Sequence, residues 1–399
     1  MPSICRVLCT QNVELPWCKY ISIALNKFIL VQTYGKSNVT YAWYAGNSGV
    51  TNRSGRFIAS HIGHTGLICF GAGANTLFEL ARYDSALPIG DQGLVSLPHL
   101  AGLGIGGIEN GVITDSYGML VVAVLHLIFS AVYAGGAMLH SFRYKEDLGE
   151  YPKDSRPNKF DFSWGDPDRL TFILGHHLLF LGLGCVQFVE WAKYHGIYDP
   201  ALGAVRKVEY NLDLQMVWNH QIDWLTVNSL EDVMGGHAFL AFFLSAGAIW
   251  HIFSKPFGEY TEFKGKGLLS AEFVLSTSLA GAAYIAFVAA FWASMNTTIY
   301  PTELYGGPLN IELSFAPYFS DTDPLFGGAD VHSARAWLSN FHFYLGFFYL
   351  QGHLWHGLRA MGFDFKRVEK LFDQLESNEI SLNPGETTSM PSTSTDNAT

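Results

Sequence analysis

The chain has 399 residues, 49% hydrophobic and only 15% charged, with a net charge of −11. A soluble domain usually carries about 25% charge, so long uncharged stretches are implied, and an acidic balance without a basic cluster argues against nucleic acid as a partner. The five cysteines (Cys5, Cys9, Cys18, Cys69 and Cys185) form no Cys-x-x-Cys pair and demand no disulfide framework.

Residues 1–30 contain an apolar run, Tyr20–Leu30, interrupted by Asn26 and Lys27. It is too short to span a bilayer, and no small-residue cleavage site follows it. Two readings stand: a cytoplasmic extension lying on the membrane surface, or an untranslated segment ahead of a true start at Val31. Mass spectrometry of the native N-terminus separates them, and the start at Val31 is the expectation. Six segments then follow that are long enough to cross about 30 Å of hydrocarbon, which takes roughly 20 helical residues. They run near Ser60–Arg82, Ser116–His140, Arg169–Lys193, Asp232–Lys255, Leu268–Ala293 and Ser333–Met361. Between them, Tyr83–Asp115 is Gly-rich and acidic, and Tyr194–Glu231 is aromatic, with an interfacial helix expected around Val217–Leu225. Ser294–His332 has no Lys or Arg. Beyond Glu376 the Ser/Thr/Asn/Pro-rich composition predicts disorder.

Basic residues fix the orientation. Nineteen of the 24 Lys and Arg fall in the N-terminal region, the second-to-third and fourth-to-fifth connections and the C-terminal segment. The other face keeps Arg82, Lys193, Arg206, Lys207 and Arg335. Lys and Arg concentrate in cytoplasmic loops, which places both termini in the cytoplasm and requires an even number of spans. The expected fold class is therefore an all-α membrane protein with six transmembrane helices arranged as three helix hairpins. Residues 1–59 form a cytoplasmic N-terminal region, 60–361 the helical domain, and 362–399 a cytoplasmic C-terminal segment.

Eleven of the 15 His lie in or at the ends of these helices: His61, His64, His126, His140, His176, His177, His237, His251, His342, His353 and His356. Ionisable residues within a bilayer are costly and mark function. His126 and His140, His237 and His251, and His342 and His356 are each separated by the same 14 positions. At 100° per residue, that interval returns to within about 40° of the same face after a rise of about 21 Å. Each even-numbered helix thus sets one imidazole near each membrane surface. His353 precedes His356 by one turn. The odd helices add His61 with His64 and His176 with His177 near the cytoplasmic side, and the fifth helix has none. This is an internal repeat of three hairpins.

Neutral imidazole suits axial ligation of a flat metal macrocycle, with its other nitrogen held by a neighbouring group. Two layers of His then become two layers of pigment. Bis-histidine haem ligation fits the same spacing and is the alternative. A metal pair at His61/His64 or His353/His356 lacks a carboxylate nearby in either helix. A transporter would carry charges or broken helices at mid-membrane, whereas Glu79, Glu190 and Glu272 lie near helix ends. His99 and His220, in connections, read as interfacial or structural, and His195 and His332 have no assigned role.

His61-Ile-Gly-His64-Thr-Gly, Leu97-Pro-His99-Leu-Ala, Ile173-Leu-Gly-His176-His177-Leu, Ile249-Trp-His251-Ile-Phe-Ser-Lys-Pro and Gly352-His353-Leu-Trp-His356 resemble the six-helix core-antenna superfamily of oxygenic photosynthesis. Gln32-Thr-Tyr-Gly and Trp43-Tyr-Ala-Gly-Asn-Ser-Gly-Val-Thr-Asn-Arg-Ser-Gly are most similar to its Pcb chlorophyll-binding antennae of cyanobacteria. The resemblance covers roughly residues 31–372. It implies chlorophyll ligation, through magnesium, at His61, His64, His126, His140, His177, His237, His251, His342, His353 and His356. His176 is an extra beside the position the family uses. Chlorophyll a, b or d would fit, and carotenoid is implied as well. The resemblance also implies a non-enzymatic antenna in the cyanobacterial thylakoid membrane, with a photosystem I or II core and neighbouring antenna copies as partners. The photosystem II inner antennae carry a very large lumenal domain between their last two helices, part of which reaches the manganese cluster. Here that connection is only Ser294–His332, so an accessory antenna is expected, not a subunit of the water-oxidising core.

Overall fold

A computed structural model describes Asn47 and residues 54–143, 162, 164–209, 226–254, 270–311, 326–327, 332–363 and 365–376. Chain contacts divide the molecule into Met1–Asn52 and Arg53–Thr399, and every element below belongs to the second unit. Tyr20–Leu30, Val31, the expected helix at Val217–Leu225, His220 and the tail beyond Glu376 lie outside the described residues.

In chain order the helices are α1 (Ser54–Arg82), α2 (Ser96–Gly102), α3 (Tyr117–Arg143), α4 (Pro167–Tyr194), α5 (Leu230–Phe253), α6 (Ala271–Met295), α7 (Thr302–Tyr305), α8 (Ala334–Ala360) and α9 (Phe365–Glu376). Two short antiparallel ribbons join β1 (Ile197–Asp199) to β2 (Ala204–Arg206) and β3 (Asn310–Ile311) to β4 (Phe326–Gly327). The six predicted segments coincide with the six long helices. The largest difference is at the first, which begins at Ser54 instead of Ser60. Helix α9 and the ribbons were not anticipated. Phe365, Val368, Leu371 and Phe372 recur at helical spacing in α9, but the segment is too polar to read as a span.

Local sequence sets several of these boundaries. Asp166, Ser229, Ser270 and Ser333 each accept a hydrogen bond from the backbone N–H three residues on, capping α4, α5, α6 and α8. Pro167 supplies the first residue of α4, where its missing N–H costs nothing.

The long helices pack as antiparallel pairs. Ile62 lies against Gly136, Gly66 against Ser130 and Tyr133, and Gly73 against Ala123, so α1 and α3 run in opposite directions. Gly175 meets Ile252 and Gly182 meets Ser245 between α4 and α5, while Gly346 meets Phe287 and Gly357 meets Ser276 between α6 and α8. Small residues at these crossings let backbones approach closely, as in membrane helix pairs. A Cβ at Gly73 would stand 2.7 Å from the Ala123 carbonyl oxygen.

Among the described residues, four helices (α3 to α6) are long and apolar enough to cross a membrane. Helices α1 and α8 are as long, at 29 and 27 residues, but Asn75, Glu79, Asn340, Gln351 and five histidines dilute their apolar character. Only 11–22% of each apolar window is buried in protein. Phe180, Phe242 and Ile285 stand more than half exposed, a surface that requires an apolar surrounding.

The antiparallel pairing brings three connections to one end, where they share a core. Ile89, Leu97, Ala101, Ile113 and Met119 from the first connection and its flanks pack with Tyr198 from the second and Leu304 and Tyr305 from the third. Two charged groups lock this cap. Glu79 is 2% exposed and accepts backbone hydrogen bonds from Val95, Ser96 and Leu97, closing the start of α2. Arg335 is fully buried and donates to the carbonyls of Gly306 (3.0 Å), Ala293 (3.0 Å), Asn296 (2.6 Å) and Tyr300.

Candidate functional site

None of the ten histidines expected as ligands is buried inside the protein. They are not core histidines satisfied on all sides. In seven of them a carbonyl or carboxylate acceptor fixes which ring nitrogen carries the proton. His61 Nδ1 lies 2.8 Å from the Phe57 carbonyl oxygen and His64 Nδ1 2.6 Å from that of Ser60. His126 uses the Val122 carbonyl (2.8 Å), His237 that of Val233 (2.8 Å) and His342 that of Leu338 (2.9 Å). A carbonyl oxygen only accepts, so Nδ1 must donate and the proton sits there. Nε2 then holds an unused lone pair, the atom an axial metal bond requires.

On the last long helix the partners come from across the pair. His353 Nδ1 donates to the Ser276 carbonyl of α6 (2.8 Å), and His356 Nδ1 donates to the Glu272 carboxylate of the same helix (3.2 Å). Arg359 also reaches Glu272, at 3.2 Å. The fifth long helix, which has no histidine, thus supplies the outer partners of its neighbour's two. Within α8 itself no carboxylate lies near His353 and His356, as the sequence reads, but Glu272 arrives from α6 because antiparallel packing aligns the start of one helix with the end of the other. His251 behaves alike, its Nδ1 lying 2.6 Å from Thr171 Oγ1 of α4.

His176 makes the local bond to the Phe172 carbonyl (2.9 Å). Among the described residues no such bond fixes its more exposed neighbour His177, which lies about 100° further round the helix. His140 lies on the outer turns of α3 and is part-buried. Aromatic rings flank several of the imidazoles: Phe57 lies 4.2 Å from His61, Phe188 4.6 Å from His237, and Phe172 4.4 Å from His176, centroid to centroid. Among the described residues no group of three or more His, Cys, Asp or Glu converges to hold a bare metal ion. The donor set is one imidazole at a time.

Sequence reasoning passed over one histidine with the same geometry. His99, on α2, is exposed, and its Nδ1 lies 2.7 Å from the Val95 carbonyl oxygen. The signal was the interval of four to a residue inside a short helix, which a search confined to long apolar segments does not reach. His195 differs: its ring stacks on Trp191 at 4.0 Å, and its Nδ1 bonds the adjoining Gly196 carbonyl. His332 is exposed where the third connection meets α8.

Long apolar helices with accessible, tautomer-fixed imidazoles define a helical membrane protein suited to holding flat metal macrocycles by single axial bonds. The family described as "Photosystem II protein" matches residues 39–323, and the chain belongs to it. It is 92% identical over 369 residues to the divinyl chlorophyll a/b light-harvesting protein PcbA of Prochlorococcus marinus strain MIT 9313, covering 92% of this chain and 100% of that protein. It is 68% identical over 350 residues to PcbB of Prochlorococcus marinus strain NATL2A, covering 88% of this chain and 99% of that protein. It is 60% identical over 354 residues to PcbB of strain MIT 9313, covering 88% of this chain and 100% of that protein. The haem alternative finds no support among these relatives.

Proposed function

We propose that this chain is a light-harvesting antenna that binds chlorophyll on single histidines and passes excitation energy to a photosystem. Chlorophyll supplies the absorption and the transfer; the chain supplies ligands, ring orientation and spacing. The observation that carries the reading is the tautomer: carbonyl and carboxylate acceptors hold the proton on Nδ1 and leave Nε2 of His61, His64, His126, His237, His342, His353 and His356 bare. His140, His177 and His251 complete the set, and His176 is a second candidate on the turn of His177. The relatives' names specify divinyl chlorophyll a/b, and the close identity supports the same pigments here. Carotenoid would occupy part of the exposed apolar helix surface.

The six long helices span the thylakoid membrane as three hairpins, with both termini cytoplasmic. The antiparallel pairs and the uneven spread of Lys and Arg support this reading. The short third connection suits an accessory antenna beside a photosystem I or II core and next to further antenna copies, with no catalytic role. The test is pigment stoichiometry: His237→Leu and His251→Leu should each lose one chlorophyll per chain from the purified complex, with helix content unchanged. Full pigment content in both variants would falsify axial ligation by these residues.

A further inference from the structure

We propose that His99, on the short helix α2, is a further axial ligand for a chlorophyll at the non-cytoplasmic edge of the bilayer; this rests on the antenna reading above. Three observations combine. The first is chemical: the Val95 carbonyl accepts from Nδ1 at 2.7 Å, so Nε2 carries a lone pair, and among the described residues it has no protein partner. This is the state of His126, His237 and His342, which lie towards the same end of the molecule.

The second is depth. Helix α2 does not stand above the bundle. Asn75 Nδ2 donates to Ser96 Oγ at 2.7 Å, and Glu79 accepts from Leu97 N at 2.9 Å. Asn75 lies seven residues before the end of α1, about 10 Å along the axis. At about 1.5 Å per residue, α1 is longer than the roughly 30 Å hydrocarbon layer. Helix α2 therefore starts beside the last turns of a spanning helix, at the hydrocarbon boundary, where a macrocycle can sit half in lipid.

The third is the surface around the ring. Leu97, Pro98 and Ala101 face inward and are buried, whereas His99 and Leu103, one turn apart, form the outer face. Leu103 is 37% exposed. The Tyr305 ring meets the imidazole edge-on at a centroid distance of 5.6 Å, which fixes its plane without a bond to Nε2. The position also fills a gap in the plan, because α1 carries no histidine towards this end.

The experiment is pigment counting on the purified full-length complex of four proteins: wild type, His99→Leu, His99→Gly and His126→Leu. The expected result is one chlorophyll fewer per chain in both His99 variants and in His126→Leu, with a matching loss in the absorption bands. Imidazole and chlorophyll supplied together should restore the missing pigment to His99→Gly, which a purely structural role of the side chain would not do. Full pigment in His99→Leu and His99→Gly alongside loss in His126→Leu would overturn the proposal and leave the antenna reading intact. Full pigment in all three would overturn the proposal and, with it, axial ligation by His126. If His99→Leu does not accumulate, the count in His99→Gly before and after imidazole decides.

Discussion

Glu79 carries a carboxylate into α1 and is nearly inaccessible, yet three backbone N–H groups and the Asn75 amide converge on it. Its charge is compensated by the start of α2, where unpaired N–H groups favour an anion. Replacing it by Gln keeps the shape but leaves one donor facing another, and the cap should lose about 1–3 kcal/mol, read as a lower thermal unfolding midpoint. Glu272 acts through His356 instead. Glu272→Gln keeps an acceptor for Nδ1, while Glu272→Leu removes it. We expect the first to retain pigment content and the second to shift or weaken one chlorophyll band; identical spectra would remove Glu272 from any positioning role. Arg335 illustrates a different point about charge. It counts as a basic residue at the end where the three connections meet, but the fold absorbs it among four carbonyls, as it absorbs Arg206 between Asp199 (2.7 Å) and Glu231 (2.8 Å). The free positive charge at that end is smaller still than the sequence count suggests.

At the scale of elements, the helix pairs depend on where glycines meet backbone. Gly73→Leu would drive a side chain into the Ala123 carbonyl, which cannot move without opening α1 from α3, whereas Gly71 meets nothing within 4 Å. The first variant should destabilise by about 1–3 kcal/mol or more, and Gly71→Ala should be close to neutral. Equal midpoints for the two would mean that the pair is not held at this crossing. The cap has its own signature. Burial, then the hydrogen bond to Glu303, raises the Tyr198 phenol well above its ordinary 10, and burial raises Tyr300 and Tyr305. The folded cap keeps protons that the unfolded chain sheds above pH 10, so its stability is complete below that pH and declines as pH rises past it. Tyrosinate absorbance should therefore appear together with cap unfolding, not ahead of it.

For the whole molecule, the long helices, their order and the repeated histidine spacing along them were legible in the sequence. Hydrocarbon forces the backbone to satisfy itself within each helix, so a span is a local property that composition alone declares. The 14-residue interval is equally local, because helical periodicity turns sequence distance directly into depth and direction. The partners of the histidines divide along the same line. His126 and Val122, four apart, are legible; His353 with Ser276 and His251 with Thr171 lie some eighty residues apart and meet only once antiparallel pairs form. The shared cap follows the same rule. Ile89, Tyr198 and Leu304 belong to three separate connections, and nothing in any one of them announces the other two. Composition and period determined where the long helices run and which histidines share a helix face. Tertiary packing alone decided which groups hold those side chains and where α2 places His99, because contacts between distant segments depend on shape and register that no single stretch of sequence contains.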